Sequence, residues 1–145
     1  MTNKTILLVE DNADDEALTL RALKRSNIGT KVFVVRDGQE ALDFLFCMNK
    51  YADRNRSEMP ELTLLDIKLP KVGGLEVLRR IRAEEHMRGL PIVILSSSNE
   101  EQDVVEAYRR GANSYVRKSI NFIQFMEAIQ QLGWYWMELN QPLPD

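Results

Sequence analysis

The sequence is poor in cysteine and histidine, with one of each among its 145 residues. The single cysteine, Cys47, cannot form a disulfide within the chain or build a cysteine-rich metal cluster. It falls in an apolar helical pattern, where a packing role is expected. The single histidine, His86, lies near the predicted C-terminus of a helix, and we interpret it as a surface residue rather than a phosphate donor. Composition therefore excludes disulfide stabilisation and cysteine-based metal binding.

The chain also lacks a long apolar run and a large excess of charge of one sign. No apolar segment approaches the roughly 20 residues of a transmembrane helix, and the N-terminus contains no apolar signal-peptide region. The formal net charge of −3 gives no global attraction to nucleic acid or to an anionic membrane. We therefore expect a cytoplasmic protein that binds neither. The hydrophobic content of 44% is typical of one folded domain.

Short apolar runs alternate with segments of helical periodicity along the chain. The apolar runs lie at 5–9, 31–35, 91–95 and 114–117, and another begins at residue 62. Helical periodicity covers 14–26, 41–46, 74–86, 101–110 and a last segment from residue 121. This alternation predicts right-handed βαβ crossovers and a parallel sheet covered on both faces. We predict an α/β, flavodoxin-like, three-layer (βα)5 doubly wound fold with strand order 2-1-3-4-5.

Local signals refine this prediction. Asp37 with Glu40, and Ser98 with Glu101, have the spacing of capping boxes and predict the starts of the second and fourth helices. Residues 49–61 are polar and charged, which predicts an exposed loop with a helical turn at its start.

The stretch LTLLDIKLP, from Leu62 to Pro70, is the centre of the predicted fold. Its apolar first half indicates a strand buried on both faces, and the strand delivers Asp66 at its carboxyl end. Ligands bind in the crevice outside the carboxyl ends of the strands in open α/β sheets. On this stretch alone, Asp66 fits a turn or a helix cap as well as it fits a functional site.

Further acids end the first predicted strand. Glu10 and Asp11 follow it, and in the predicted order this strand neighbours the one that ends in Asp66. Three clustered carboxylates repel one another unless a cation is present. An all-oxygen cluster suits Mg²⁺ or Mn²⁺ rather than zinc.

The last two predicted strands bring a hydroxyl and an ammonium group to the same edge, from Ser96 and Lys118. A cation, a hydroxyl and a lysine around one carboxylate can stabilise a phosphoryl group on it. Asp66 would then be a nucleophile that is phosphorylated. Each residue is a weak signal alone, but their coincidence at successive strand ends is a strong one.

The chain resembles a response-regulator receiver domain over residues 5–132. The resemblance depends on VEDN at 9–12, LLDIKLP at 64–70, Gly74, PIVILSS at 91–97 and GANSYVRK at 111–118. It implies that Asp66 is the phosphoacceptor. It implies an Mg²⁺ site formed by Asp11, Asp66 and the backbone carbonyl of Lys68, with Glu10 acting through water. It also implies a set of phosphate-binding and switch residues: Ser96, Ser97, Tyr115 and Lys118.

The chain departs from the family pattern at three positions. Ser119 stands where the family usually has a proline in a cis bond, and we expect a trans Lys118–Ser119 bond because a cis bond without proline costs about 2.5–4 kcal/mol. Glu10 stands for the more usual aspartate, and Ser96 for the more frequent threonine. None of these departures removes a reacting group.

The 49–60 loop, the 99–118 segment and the C-terminal tail are similar to those of single-domain regulators of bacterial and cyanobacterial phytochrome histidine kinases. This resemblance implies a stand-alone two-component response regulator that receives its phosphoryl group from a histidine kinase, such as a bacteriophytochrome. Output would then be by protein–protein contact, or the chain would act as a phosphate sink or shuttle in a phosphorelay. It would be a signalling protein rather than an enzyme.

Two other readings fit the pattern less well. Aspartate-nucleophile phosphatases resemble a DxD pattern, but position 68 is lysine here. A flavodoxin-type nucleotide binder needs a glycine- or hydroxyl-rich loop after the first strand, and the acids there would repel a phosphate.

The C-terminal segment suggests an oligomer. We predict a receiver domain over 1–132 and an extension of the last helix and tail over 133–145, with no separate output domain. Three successive aromatics begin at Trp134, and one domain face cannot cover them all. We therefore expect a homodimer. The predicted contacts are Phe122, Phe125, Ile129, Trp134 and Trp136.

Overall fold

The computed structural model describes residues 4–26, 29–98, 100–118 and 121–144. Within these ranges the chain forms one sheet of five parallel strands in the order β2-β1-β3-β4-β5. The strands are β1 (Thr5–Val9), β2 (Lys31–Val35), β3 (Leu62–Leu65), β4 (Ile92–Ser96) and β5 (Ser114–Arg117). The α-helices are α1 (Ala13–Arg25), α2 (Gly38–Phe46), α3 (Gly74–Ala83), α4 (Glu101–Arg109) and α5 (Phe122–Trp134). The predicted fold class and strand order are confirmed.

Two apolar layers cover the sheet, because successive strand residues point to opposite faces. Leu7 and Val9 of β1 pack with α2, α3 and Ala107 of α4 on one face. Ile6 and Leu8 pack with α1 and α5 on the other face. Full burial of one such side chain contributes about 1.5–3 kcal/mol to the free energy of unfolding, and the side chains of both layers contribute in this way.

The strand registers align the carboxyl ends of the strands. Val9 lies opposite Val35 on one side and Leu65 on the other. Ser96, at the end of β4, lies opposite Arg117. The residues that follow these strands therefore meet along one edge of the sheet.

Only half of the first predicted capping box forms, and the second does not form. The Glu40 amide donates to the side chain of the N-cap residue Asp37 at 2.7 Å, but the Glu40 carboxylate accepts from the amide of Arg36, one residue before the N-cap, at 2.9 Å. The prediction of a box between Ser98 and Glu101 is wrong, because Glu100 occupies the N-cap of α4 and makes no side-chain capping bond. Ser98 lies too far before the helix to cap it.

The predicted helix over 74–86 ends earlier. α3 stops at Ala83, and a separate 3₁₀-helix covers Glu85–Met87. The backbone at Glu84 is extended, which breaks the helix and lets Met87 reach the core, where it is 2% exposed. His86 lies on the surface beside Glu84.

The 49–61 loop folds against α2. It begins with a 3₁₀-helix over Asn49–Tyr51, as predicted. The Tyr51 hydroxyl donates to Glu40 at 2.7 Å. The Arg54 guanidinium donates to the carbonyl oxygen of Phe44 and lies 3.8 Å from the centre of the Phe44 ring.

The chain stays helical past Gly133, as the periodicity predicts. α5 continues into a π-helix over Tyr135–Leu139. Met137 of this π-helix is 1% exposed and packs in the core. The ammonium group of Lys4 donates to the Met137 carbonyl oxygen, which ties the π-helix to the start of β1.

Two predicted dimer residues lie in the core instead. Phe125 and Ile129 are 3% and 0% exposed, and they pack against the sheet within the same chain. The prediction that they contact a second copy is therefore corrected: α5 needs one face for its own core. Trp136 is half-buried against the same cluster. Phe122 and Trp134 are exposed.

Candidate functional site

Three carboxylates converge at the carboxyl edge of the sheet. One oxygen atom from each of Glu10, Asp11 and Asp66 lies within 4.8 Å of the others. Backbone hydrogen bonds that continue the sheet beyond its strands fix two of them, from the Glu10 amide to Val35 and from the Asp66 amide to Val9. Glu10 and Asp66 are buried, whereas Asp11 is exposed. The structure thus brings together the three acids that the sequence places at strand ends.

Lys118 lies in the middle of this acidic group. Its ammonium group is hydrogen-bonded to Glu10 and lies 3.1 Å from Asp66 Oδ2. The side chain is only 8% exposed, and the Lys118 amide donates to the Ser96 carbonyl oxygen at 2.7 Å. A buried ammonium is stable only when it is paired, and here carboxylates surround it.

Asp15 also contacts the Lys118 ammonium group, at 3.0 Å, and sequence analysis did not identify it. Asp15 lies in the first turn of α1, and its amide donates to the side chain of the N-cap residue Asn12 at 2.9 Å. An acidic first turn is common in helices because it complements the helix dipole. The only sequence signal was the Asp14-Asp15-Glu16 run directly after the strand-end acids.

Burial and charge perturb both partners of the central ion pair. Burial raises the pKa of Glu10 to about 7, and the charge of Asp66 also raises it, although Lys118 opposes the shift. Burial lowers the pKa of Lys118, but the hydrogen bond that Lys118 donates to Glu10 and the charges of Asp66 and Glu10 outweigh this effect and raise the pKa to about 12. Lys118 is therefore an ammonium ion at neutral pH.

The donor set fits a hard divalent cation. In the described part of the chain, the carboxylates of Glu10, Asp15 and Asp66 contact one ammonium group, and Asp11 adds a fourth carboxylate beside Glu10 and Asp66, so acidic groups are in excess. All the available ligand atoms are oxygens, which Mg²⁺ and Mn²⁺ prefer. Exposed Asp11 leaves one side open to water, and Mg²⁺ usually retains several water ligands in proteins.

The backbone of the loop after β3 passes very close to two glycines, one at the start of α2 and one at the start of α3. A Cβ atom at Gly74 would lie 2.0 Å from the carbonyl oxygen of Asp66, and one at Gly38 would lie 1.7 Å from that of Val72. The Gly38 amide donates to the Pro70 carbonyl oxygen at 3.3 Å. The N-termini of α2 and α3 thus hold this loop in place.

The hydroxyl-bearing residues Ser96 and Tyr115 come from the paired strands β4 and β5. Ser96 is fully buried, and its Oγ accepts a hydrogen bond from the Ser98 amide at 3.1 Å. The Tyr115 hydroxyl donates to the Ser98 carbonyl oxygen at 3.1 Å.

Ser97 and Lys68, two further residues of the predicted site, are exposed. The Lys118–Ser119 peptide bond lies outside the described residues. Across those residues, no helix is both long and apolar enough to cross a lipid bilayer.

Comparison with known proteins gives a consistent result. The sequence pattern of the response regulator receiver domain matches residues 6–130. Response regulator Rcp1 of Synechocystis sp. is 37% identical over 135 residues, which span 93% of this chain and 90% of that protein. The crystal structure of the Mn²⁺-bound form of Rcp1 matches with a TM-score of 0.88 and 35% identity, covering 97% of this chain and 99% of that one.

Two further solved structures are similar. The phosphorylated cyanobacterial phytochrome response regulator RcpA matches with a TM-score of 0.90 and 36% identity, covering 99% of this chain and all of that one. The bacteriophytochrome response regulator RtBRR is 49% identical with a TM-score of 0.79, covering 99% of this chain and 86% of that one.

Proposed function

This chain belongs to the response regulator receiver domain family, and from this premise we propose that Asp66 accepts a phosphoryl group from a phosphohistidine of a histidine kinase. The observation that carries the proposal is the position of Asp66 at the open edge of the sheet. Its carboxylate lies 3.1 Å from the buried Lys118 ammonium group. A carboxylate nucleophile beside a fixed positive charge is the arrangement that phosphoryl transfer requires.

The transfer exchanges one bond for another. An oxygen of the Asp66 carboxylate attacks phosphorus, and the phosphorus–nitrogen bond to the donor imidazole breaks. The electron pair of that bond leaves with the imidazole nitrogen, which takes a proton from solvent. Lys118 stays protonated and neutralises the phosphoryl oxygens, and Ser96 donates its hydroxyl proton to one of them.

A divalent cation fits the same site. Asp11, Asp66 and the backbone carbonyl of Lys68 would hold Mg²⁺, with Glu10 binding through water; Mn²⁺ is an alternative. Such an ion supplies positive charge to the oxygens of the transferred group. The acidic cluster of this chain and the Mn²⁺-bound form of the related Rcp1 support the assignment.

Phosphorylation then shifts a two-state equilibrium. The new charge draws the Ser96 hydroxyl toward Asp66, the Tyr115 ring follows, and the surface formed by β4, α4 and β5 repacks. The output is a protein–protein contact on that surface. The exposed Val105 and Tyr108 of α4 are available for it.

The kinase partner that we propose is a bacteriophytochrome. Two relatives are named as phytochrome or bacteriophytochrome response regulators, and they cover almost the whole of this chain. We also propose a homodimer. Its contacts are the exposed Phe122 and Trp134 of α5, with Trp136 at the edge of the patch.

Phosphorylation by a small donor tests the site. Purified protein with acetyl phosphate and Mg²⁺ should gain the mass of one phosphoryl group, and chelation should abolish the gain. Asp66→Asn should fold but gain no mass. Asp53→Asn, which alters an exposed loop aspartate, should behave as wild type. Equal phosphorylation of Asp66→Asn and wild type would show that the assigned site is wrong.

A further inference from the structure

Ser98 connects the two switch residues to helix α4. Its amide donates to Ser96 Oγ at 3.1 Å, and its carbonyl oxygen accepts from the Tyr115 hydroxyl at 3.1 Å. Its own hydroxyl donates to the Asp103 carboxylate in the first turn of α4 and accepts from the Glu100 amide. All the polar groups of Ser98 are thus engaged, and the residue is 7% exposed.

The bond from the Ser98 amide leaves the reactive side of Ser96 available. A serine hydroxyl has one proton to donate and two lone pairs that accept. The Ser98 amide uses one lone pair. Among the described residues, no acceptor binds the hydroxyl proton of Ser96. That proton is therefore free for a phosphoryl oxygen on Asp66.

The start of α4 depends on Ser98 because it has no cap of its own. The N-cap residue Glu100 makes no side-chain bond to the helix amides. Instead, the Ser98 hydroxyl binds the Glu100 amide on one side and Asp103 on the other. A buried hydroxyl between two partners holds their relative position, since breaking either bond leaves a desolvated polar group.

We propose that Ser98 is a positioning residue that transmits the position of the Ser96 hydroxyl to α4 through its hydrogen bond to Asp103. The inference rests on the proposed phosphorylation of Asp66 and names the route by which that event reaches the surface. Movement of Ser96 toward the phosphoryl group pulls on the Ser98 amide, and the Ser98 hydroxyl shifts Asp103. Tyr115 moves in the same step because its hydroxyl is bound to the Ser98 carbonyl oxygen.

The test compares hydrogen exchange of α4 with and without phosphorylation, at an occupancy measured by intact mass. In wild type, we expect the exchange of the α4 amides to change by about fivefold or more, as a coupling free energy between sites requires. Ser98→Ala and Asp103→Ala should each take up the phosphoryl group and lose most of that change. Their combination should lose no more than either alone, because both remove the same bond.

Matched variants separate coupling from a general loss of stability. Ser98→Thr and Asp103→Asn keep a hydroxyl donor and an acceptor, so they should retain the change. Ser26→Ala removes another serine hydroxyl that is bound to a carbonyl oxygen, that of Leu23, and should also retain it. A merely structural role for Ser98 would speed exchange equally in both states and leave their ratio intact.

The outcomes are distinct. A full phosphorylation-dependent change in Ser98→Ala, or its loss in Ser98→Ala with retention in Asp103→Ala, would overturn the inference. A phosphorylated wild type without any change in α4 would also overturn it while leaving the proposed function in place. A wild type that takes up no phosphoryl group at all would overturn the proposed function, and the inference with it.

Discussion

At the scale of single residues, Lys118 supplies the positive charge that the acids of the site share. Its ammonium group is shared among Glu10, Asp15 and Asp66 before any phosphoryl group arrives. The shared state stabilises acids that would otherwise repel one another in a buried position. In the proposed transfer, a more highly charged phosphoryl group on Asp66 would take the place of the Asp66 carboxylate, so the Lys118 ammonium group would stay paired.

Removal of Asp15 should make Lys118 more available to the phosphoryl group. Asp15 is about one-third exposed, with 37% of its side chain accessible, so its loss should cost at most about 1 kcal/mol of stability. We expect Asp15→Asn to be phosphorylated by acetyl phosphate about 2–5 times faster, because one competing acceptor of Lys118 loses its charge. Asp14→Asn, an exposed neighbour in the same turn, is the control. A slower reaction in Asp15→Asn would mean that Asp15 assists the transfer.

Loss of Asp11 should stabilise the metal-free protein. Asp11 lies near two other carboxylates and contributes repulsion when no cation is present. Asp11→Ala should therefore raise the free energy of unfolding in chelator by about 0.5–1 kcal/mol and weaken Mg²⁺ binding. Thermal melts with chelator and with Mg²⁺ measure both effects. Clear destabilisation in chelator would contradict the assignment of Asp11 to the repelling cluster.

Strand-end position made most site residues predictable from the sequence. Glu10, Asp66, Ser96 and Lys118 each follow an apolar run, and parallel strands deliver such residues to one edge. Asp15 was not predictable in this way. It comes from a helix, and its contact depends on how α1 turns over the sheet, which local sequence does not determine.

At the scale of elements, the N-termini of α2 and α3 hold the loop that follows β3. Their glycines allow backbone contact distances that any side chain would prevent. The same helices bury their apolar faces in one core layer. The loop with Asp66 at its start is thus contacted by helix N-termini on two sides.

Gly74→Ala should therefore be strongly destabilising. Its Cβ atom would lie 2.0 Å from the Asp66 carbonyl oxygen, and the backbone cannot shift without moving the site. We expect a loss of about 1–3 kcal/mol or more, as in other overpacked positions. Gly73→Ala is the matched control, since its nearest neighbour would be 3.8 Å away. Equal unfolding midpoints in urea for the two variants would contradict the close approach.

Glu40 should make the junction of α2 and the 49–61 loop sensitive to acid. Partial burial raises its pKa, but hydrogen bonds from Lys50, the Arg36 amide and Tyr51 outweigh this and lower the pKa to about 2 from an ordinary value of 4.5. Because the pKa of Glu40 is lower in the folded state than in the unfolded state, the ionised carboxylate contributes its full stabilisation at pH values above the ordinary pKa. This contribution is lost as pH falls from 4.5 towards 2.

Urea unfolding of Glu40→Gln measures this contribution. We expect the variant to be less stable than wild type by about 1–2 kcal/mol at neutral pH. The gap should narrow as the pH falls below about 4, because protonation removes the same charge from wild type. Glu58→Gln, an exposed loop carboxylate, should show no such gap. A gap for Glu40→Gln that is independent of pH would assign the effect to packing.

Element types were predictable, whereas several element ends were not. The apolar runs located every strand in the described part of the chain, because buried parallel strands need continuous apolar residues. The end of α3 and the cap of α4 were mispredicted. The packing of Met87 in the core decides where α3 ends, and a local hydrogen bond from Ser98 to Asp103 forms in place of the predicted cap of α4.

At the scale of the whole molecule, the C-terminal segment has a buried side and an exposed side that the sequence could not separate. Met137 and one face of α5 complete the core of the domain. Trp134 and Tyr135 are 51% and 47% exposed and lie on the outside. The residue spacing indicated an aromatic-rich helix, but only the packing of α5 shows which of its aromatic residues stay exposed.

Substitution at Trp134 should separate assembly from folding. Trp134→Glu should yield a monomer by light scattering while the unfolding free energy changes by less than about 1 kcal/mol, since the side chain is exposed. Met137→Ala should instead lose about 2–4 kcal/mol because it leaves a cavity in the core. A wild type that is monomeric at micromolar concentration, with and without phosphorylation, would contradict the proposed dimer.

Phosphotransfer from a kinase tests the central claim most directly. The phosphohistidine form of a bacteriophytochrome kinase, carrying a radiolabelled phosphoryl group, is mixed with wild type, Asp66→Asn or Asp53→Asn in the presence of Mg²⁺. Label should move from the kinase to wild type and to Asp53→Asn, and it should stay on the kinase with Asp66→Asn. Transfer of label to Asp66→Asn at the wild-type rate would contradict Asp66 as the acceptor.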